Sequence, residues 1–188
     1  IVPQVVHLHR LKASDGVSGS WIGVGLAMNL WWVGYGWASE LWGILPVSTV
    51  AFGLYAVMAA QFARLNGRAS LGSCAAGALV VGVVPIPALG VGGWPAAGVV
   101  VGLCYAVQFA PAAIATLRSD SPRGVSPPPW AGAGTEAAGW LVYGITVGDA
   151  ALMIGGGGGL LASVVILVRL SRHRALRRET TPRLAARM

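Results

Sequence analysis

Residues 16–36 read GVSGSWIGVGLAMNLWWVGYG, and residues 124–144 read GVSPPPWAGAGTEAAGWLVYG. Each run has about the length a helix needs to cross roughly 30 Å of hydrocarbon. Neither contains a basic residue, and Glu136 is the one acid between them. A constant shift of 108 lays one on the other and extends outward, placing residues 1–64 on 109–172. Pro3 then meets Pro111, Arg10 meets Arg118, and Gly16-Val17-Ser18 meets Gly124-Val125-Ser126. Trp32, Tyr35 and Gly36 meet Trp140, Tyr143 and Gly144, and Arg64 meets Arg172. Rare residue types agree in order and without a gap, which marks an internal duplication.

The whole chain of 188 residues is 55% hydrophobic and 10% charged. A soluble domain carries about a quarter charged residues, so the apolar excess here faces lipid. Twelve Arg and one Lys sit in short clusters separated by long uncharged runs. This is an all-α membrane protein. Seven spans are expected: Ile1 to about Leu11, Val17–Trp37, Leu41–Ala63, Ser70–Leu89, Pro95–Leu117, Pro129–Val147 and Ala150–Leu170. Pro85 and Pro87 break the fourth late, and residues 90–95 make a short turn. The first span would reach only roughly 16 Å as helix, so the first helix is incomplete and about ten or more residues are expected before it. Residues 1–64 form a first triple-helix repeat, 65–94 a linker helix with its turn, 95–170 a second triple-helix repeat and 171–188 a basic tail. Three spans per repeat is an odd number, so the linker span is what keeps the two repeats parallel in a 3+1+3 arrangement.

Charge gives the expected orientation. Arg10 and Lys12, Arg64 and Arg68, Arg118 and Arg123, and the tail from Arg169 all fall on one side. The opposite loops, at 38–40, 90–94 and 148–149, carry no basic residue. The basic side is therefore cytoplasmic, with the C-terminus inside. Net charge is +7, yet no continuous basic face forms, which argues against a nucleic-acid partner. Cys74 and Cys104 lie in apolar runs, and His7, His9 and His173 flank helix ends without a carboxylate cluster. No metal, cofactor or enzymatic activity is expected from these residues. The excess of Arg over Lys, with abundant Ala and Gly, suits a GC-rich bacterial genome and a cytoplasmic membrane. The expected partners are the lipid bilayer and a small solute, and self-association is left open.

Some residues within the spans stand out. Pro3, Pro46 and Pro111 each remove a helix hydrogen bond, producing a static kink or a hinge for moving helices. Gly155–Gly159 permits close helix approach, or else widens a pocket. Glu136 is the only acid well inside a span, and a carboxylate there is functional by default, held by a structural partner such as a backbone group or Asn29, or else placed near the surface by a shifted register. Asn29 itself is read as interhelical hydrogen-bonding glue or a substrate contact. Trp21, Trp37, Trp42, Trp94 and Trp130 lie near helix ends, as an interfacial belt requires. The seven Arg from Arg169 onward suit a stop-transfer and lipid-headgroup contact.

At these residues the chain resembles the PQ-loop superfamily, and within it the SWEET and SemiSWEET transporters. Pro3-Gln4 matches the motif that names the superfamily, residues 16–36 look like the family's second helix, and 136–144 like its sixth. The resemblance implies a facilitator that moves sugars or similar small neutral solutes by rocking two triple-helix halves about a central site. It places Trp140 on the family's pocket aromatic and Trp32 on the first-half counterpart. Where plant-type members carry a sugar-binding Asn in the third and seventh helices, this chain has Val47 (or Pro46) and Gly156 (or Gly155). A cystinosin-like branch implies the alternative of a proton-coupled exporter of amino-acid-like solutes, with Glu136 carrying the proton. Cargo receptors of the superfamily imply a third, a non-transporting receptor or assembly factor on the same scaffold.

Overall fold

The computed structural model describes residues 17–119 and 125–185, the stretch 174–185 by its backbone alone. Its helices are α1 (Gly19–Ala38), α2 (Ile44–Asn66), α3 (Leu71–Val83), α4 (Ile86–Val107), α5 (Ala110–Arg118), α6 (Pro127–Val147) and α7 (Ala150–Ala185). A 3₁₀ turn, Arg68–Ser70, leads into α3, and no strand occurs among the described residues. The first expected span, with Pro3, Gln4, Arg10 and Lys12, lies outside the described residues, as does Arg123.

Three helical stretches are long and apolar enough to cross a membrane: Ile44–Asn66, Ile86–Arg118 and Ala150–His173. The chain is thus a helical membrane protein. Of the other expected spans, α1 and α6 have 20 and 21 residues, but glycines, Asn29, Thr135 and a proline-rich start dilute their apolarity. The outward faces agree with lipid as solvent: Val50 on α2, Leu79 and Val80 on α3 and Leu161 on α7 are all exposed.

Prolines and glycines set where the helices break. The run from α3 to α4 is interrupted at Val84–Pro85. At Gly93, inside α4, the backbone leaves helical geometry (φ 65°, ψ −159°), which narrows the expected turn of residues 90–95 to a single residue. A second break at Gln108–Phe109 precedes Pro111, the second residue of α5. Pro111 has no N–H to give to the carbonyl one turn back, so the helix stops and restarts. Pro46 differs from expectation. It lies in the first turn of α2, where its N–H would have no helical partner anyway, and no kink arises there. The third span starts at Ile44 rather than Leu41 because residues 39–43 form the turn. Helix α7 continues past Leu170 to Ala185, since Arg, Ala and Leu are strong helix formers.

The chain divides between Val101 and Gly102 into two compact units. In the first unit α1 packs on both α2 and α3. Buried residues of α2 recur as Ile44, Ser48, Tyr55, Met58 and Phe62, a seam of fourth and third positions. Tyr55, Met58 and Phe62 join Ile22 and Cys74 in one apolar cluster, and Trp21 meets Tyr55 edge-on at 5.3 Å. The α1–α3 crossing is closer still. A Cβ on Gly23 would run into the Cys74 carbonyl, and one on Gly77 into the Ser20 carbonyl. The two backbones touch because both helices present glycine at the crossing.

In the second unit α7 packs on α6 and on α5. The run Gly155–Gly159 is helical throughout. Cβ atoms on Gly156 and Gly159 would crowd α6 at Leu141 and Ala137, while Gly155 and Gly158 face Gly102 and Ala106 at the end of α4. The glycines therefore act in close packing on two sides of α7. Nearer the C-terminal part, Arg169 donates through Nη2 to the Ser119 carbonyl (2.9 Å) and ties the end of α5 to α7.

The turns that close α1 and α6 are the same structure at the shift of 108. In the first, Leu41 N–H donates to the Gly36 carbonyl at 2.8 Å and Glu40 N–H to that of Trp37 at 3.4 Å. In the second, Asp149 N–H donates to Gly144 at 2.8 Å and Gly148 N–H to Ile145 at 3.4 Å. Both are Schellman closures, which need a left-handed residue after the helix. Glu40 (φ 55°) and Gly148 (φ 70°) supply it. The helix starts agree as well, with Ser18 and Ser126 as extended N-caps at nearly equal angles (φ −87°, ψ 122° and φ −86°, ψ 129°). Past the turns, Gly36 is covered by Ile44 and Gly144 by Leu152, again 108 apart. Residues 18–44 and 126–152 thus share one helix–turn–helix pattern at a shift of 108.

Candidate functional site

Both copies carry an aromatic pair at the same place on the helix before the turn. In α1, Trp32 and Tyr35 are buried and meet edge-on, with centroids 6.0 Å apart at 68°. Tyr35 is fixed from the other side by Gly98 of α4, where a Cβ would strike its ring. In α6, Trp140 and Tyr143 repeat the arrangement at 6.3 Å and 62°, both half-buried. A spacing of three residues brings the rings together on one helix face, and the edge-on geometry holds each indole in a defined orientation. Trp32 and Trp140 belong to separate units.

The remaining residues singled out in the sequence take varied places. Asn29 donates through Nδ2 to the Gly25 carbonyl of its own helix at 2.7 Å, so its amide is engaged within α1 instead of bridging to another helix. Val47 is 48% exposed in the first turn of α2. Gly156 is buried, with the Leu141 N–H and the Ala137 carbonyl of α6 where its side chain would be. It offers no group to a ligand, but it brings α7 against the flank of α6 beside Trp140. Pro46 and Pro111 mark a helix start and a helix break, and Pro3 lies outside the described residues.

Glu136 is exposed at the middle of α6 and makes no hydrogen bond or ion pair among the described residues. An acidic side chain costs roughly 3 kcal/mol at the centre of a membrane-crossing helix, and α6 is not among the three stretches long and apolar enough to cross. Its surroundings on α6 follow from helical spacing. Gly132 is one turn before it, Gly139 and Trp140 one turn after it, all on the same face. Gly132 and Gly139 are exposed like Glu136, and a Cβ on either would meet nothing within 4 Å, so this is an outward face of the helix. Thr135, next to it, returns its hydroxyl to the Ala131 carbonyl of its own helix (3.0 Å).

Sequence reasoning missed three features. The left-handed Glu40 was hidden because glutamate gives no turn signal, although Gly148 stands in the same column of the repeat. The Gly23–Gly77 crossing was hidden among many glycines. The Arg169–Ser119 bond was hidden because Arg169 reads as the first of a basic tail. Groups of three or more His, Cys, Asp or Glu that could hold a metal ion do not occur among the described residues. No family model, curated protein or solved structure matches the chain.

Proposed function

We propose that this protein is a membrane transporter in which two copies of one helical unit act as like-oriented halves and pass a small solute by alternating access. The observation that carries the proposal is the repeated helix–turn–helix, with the same closing hydrogen bonds and a similar edge-on Trp–Tyr pair in each copy. A carrier that opens alternately to two sides gains from two bodies with the same internal structure, since one motion serves both gates. Close glycine crossings support this reading because they let each body move as a unit. Seven spans in a 3+1+3 order, with a cytoplasmic C-terminus, give the duplicated hairpins the same direction.

Sugar as the solute draws support from Trp32 and Trp140, whose flat faces suit the C–H face of a pyranose. It draws none from Val47 and Gly156, which present no hydrogen-bonding side chain to orient a polyol. The purified chain in liposomes, screened with radiolabelled sugars, amino acids and small amines, tests the proposal. Saturable uptake of at least one solute, above that of protein-free liposomes, is expected. Absence of flux for every class would overturn it and favour a receptor or assembly role.

A further inference from the structure

We propose that the corner where α5 ends against α7, built from Arg118, Arg169 and Arg172, binds a phosphate oxyanion, carried by an anionic lipid headgroup or free in solution. The inference stands apart from the transporter reading. Arg169 is half-buried near the end of the apolar stretch Ala150–His173. Its guanidinium has five N–H donors. Nη2 gives one to the Ser119 carbonyl at 2.9 Å, which fixes the group against the end of α5. Nε is closed off and has no acceptor. Arg118, in the last turn of α5, immediately precedes Ser119, and Arg172 lies one turn past Arg169 on the same face of α7. Both are exposed, and none of the three arginines makes an ion pair among the described residues. The described acids of this unit lie elsewhere. Asp149 caps the other end of α7, ~30 Å away along the helix, where it accepts from the Leu152 N–H. Glu136 lies beyond Gly134, which packs at Ser163, nearly two turns before Arg169.

The chemistry of the corner selects the ligand. A guanidinium drawn partly out of water is costly unless a counter-charge meets it, and two further arginines beside it add repulsion. The described chain supplies no such counter-charge, so an anion from outside does. Arginine presents a planar fork of donors that matches the oxygens of phosphate, and arginines from two helices suit a group with several oxygens better than a two-oxygen carboxylate. Position points the same way. Arg169 comes where the apolar part of α7 gives way to its basic part, the depth at which lipid phosphates lie. Unit 1 lacks the central charge, since the neutral Gln61 stands where the shift of 108 puts Arg169. One such site is therefore expected per chain.

Two probes on the detergent-purified full chain test the site. Native mass spectrometry compares retention of dioleoylphosphatidylglycerol with that of dioleoylglycerol, which has the same acyl chains and no phosphate. Equilibrium dialysis follows radiolabelled orthophosphate. Preferential retention of the phospholipid without orthophosphate binding assigns the site to a headgroup, and saturable orthophosphate binding without that preference assigns it to a free phosphate. In either case Arg169→Gln is expected to weaken binding about tenfold or more, the scale of one charge-assisted hydrogen bond. That variant also loses the tie to Ser119. Arg172→Gln, at an exposed side chain with no hydrogen bond among the described residues, is therefore the second variant. It is expected to weaken binding about fivefold, the scale of one basic residue near an anionic surface, with an unchanged gel-filtration profile. Asp120, next after Ser119 in sequence and outside the described residues, provides the control, and Asp120→Asn is expected to bind at least as well as the wild type. Equal retention of both lipids with no orthophosphate binding overturns the site, as does binding unaltered in both Arg169→Gln and Arg172→Gln. Binding that appears only in Asp120→Asn would show that an acid of the chain already fills the corner, and overturns it too.

Discussion

Glu40 holds a left-handed backbone conformation that its counterpart in the second copy fills with Gly148. An L-residue there costs about 1 kcal/mol relative to glycine, because its Cβ crowds the following carbonyl. Glu40→Gly is expected to stabilise the folded protein by about that amount, and Gly148→Ala to destabilise it by a similar amount. Unfolding by SDS titration in mixed micelles, followed by tryptophan fluorescence, measures both. Equal effects of one sign would show that the two turns do not share a closure. At this scale the sequence was legible where a residue type has one use. Ser126 before a proline run reads as a helix start, and the structure has it as the N-cap of α6. It was not legible where a side chain chooses between partners. Asn29 could bond across helices or to its own backbone, and the local Gly25 carbonyl wins because the next turn brings it within 2.7 Å at no further ordering cost.

At the level of helices, the α1–α3 crossing depends on two glycines whose missing side chains let the backbones meet. Gly23→Ala and Gly77→Ala each force a carbonyl away, and each is expected to destabilise the protein by about 1–3 kcal/mol, the range for overpacking. Gly53→Ala in α2 is the matched control, since a Cβ there meets nothing within 4 Å. It should be neutral or stabilising by up to about 1 kcal/mol, from helix propensity alone. The same SDS titration distinguishes them, and an equal loss in all three would mean that the crossing is not the cause. Helix breaks were largely readable, because Pro85 and Pro111 act through the absence of an N–H, a property visible in one letter. Glycine contacts were not readable. Gly53, Gly132 and Gly139 look like Gly23, Gly77 and Gly156 in sequence, yet the first three face open space and the others a neighbouring backbone. Only the positions of neighbouring helices separate them.

For the molecule as a whole, the shared helix–turn–helix pattern was the most legible feature, because a shift of 108 keeps Trp32, Tyr35 and Gly36 in step with Trp140, Tyr143 and Gly144. Its detail was hidden in hydrogen bonds that any residue can make, such as that from Leu41 to Gly36 and from Asp149 to Gly144. The candidate site was partly legible. Trp140 and Glu136 could be picked out by type, but that Glu136 shares an outward face with Gly132 and Gly139 required coordinates. The central claim is that the two copies run in the same direction across the membrane, and a topology measurement addresses it most directly. Single cysteines at Ala38 and Thr146, exposed positions 108 apart, and at Ala69 beside Arg68 would be placed in a chain whose Cys74 and Cys104 are replaced by alanine. A membrane-impermeant maleimide applied to intact cells is predicted to label Ala38→Cys and Thr146→Cys alike, and Ala69→Cys only after lysis. Labelling of Ala38→Cys and Thr146→Cys from opposite sides would contradict the account.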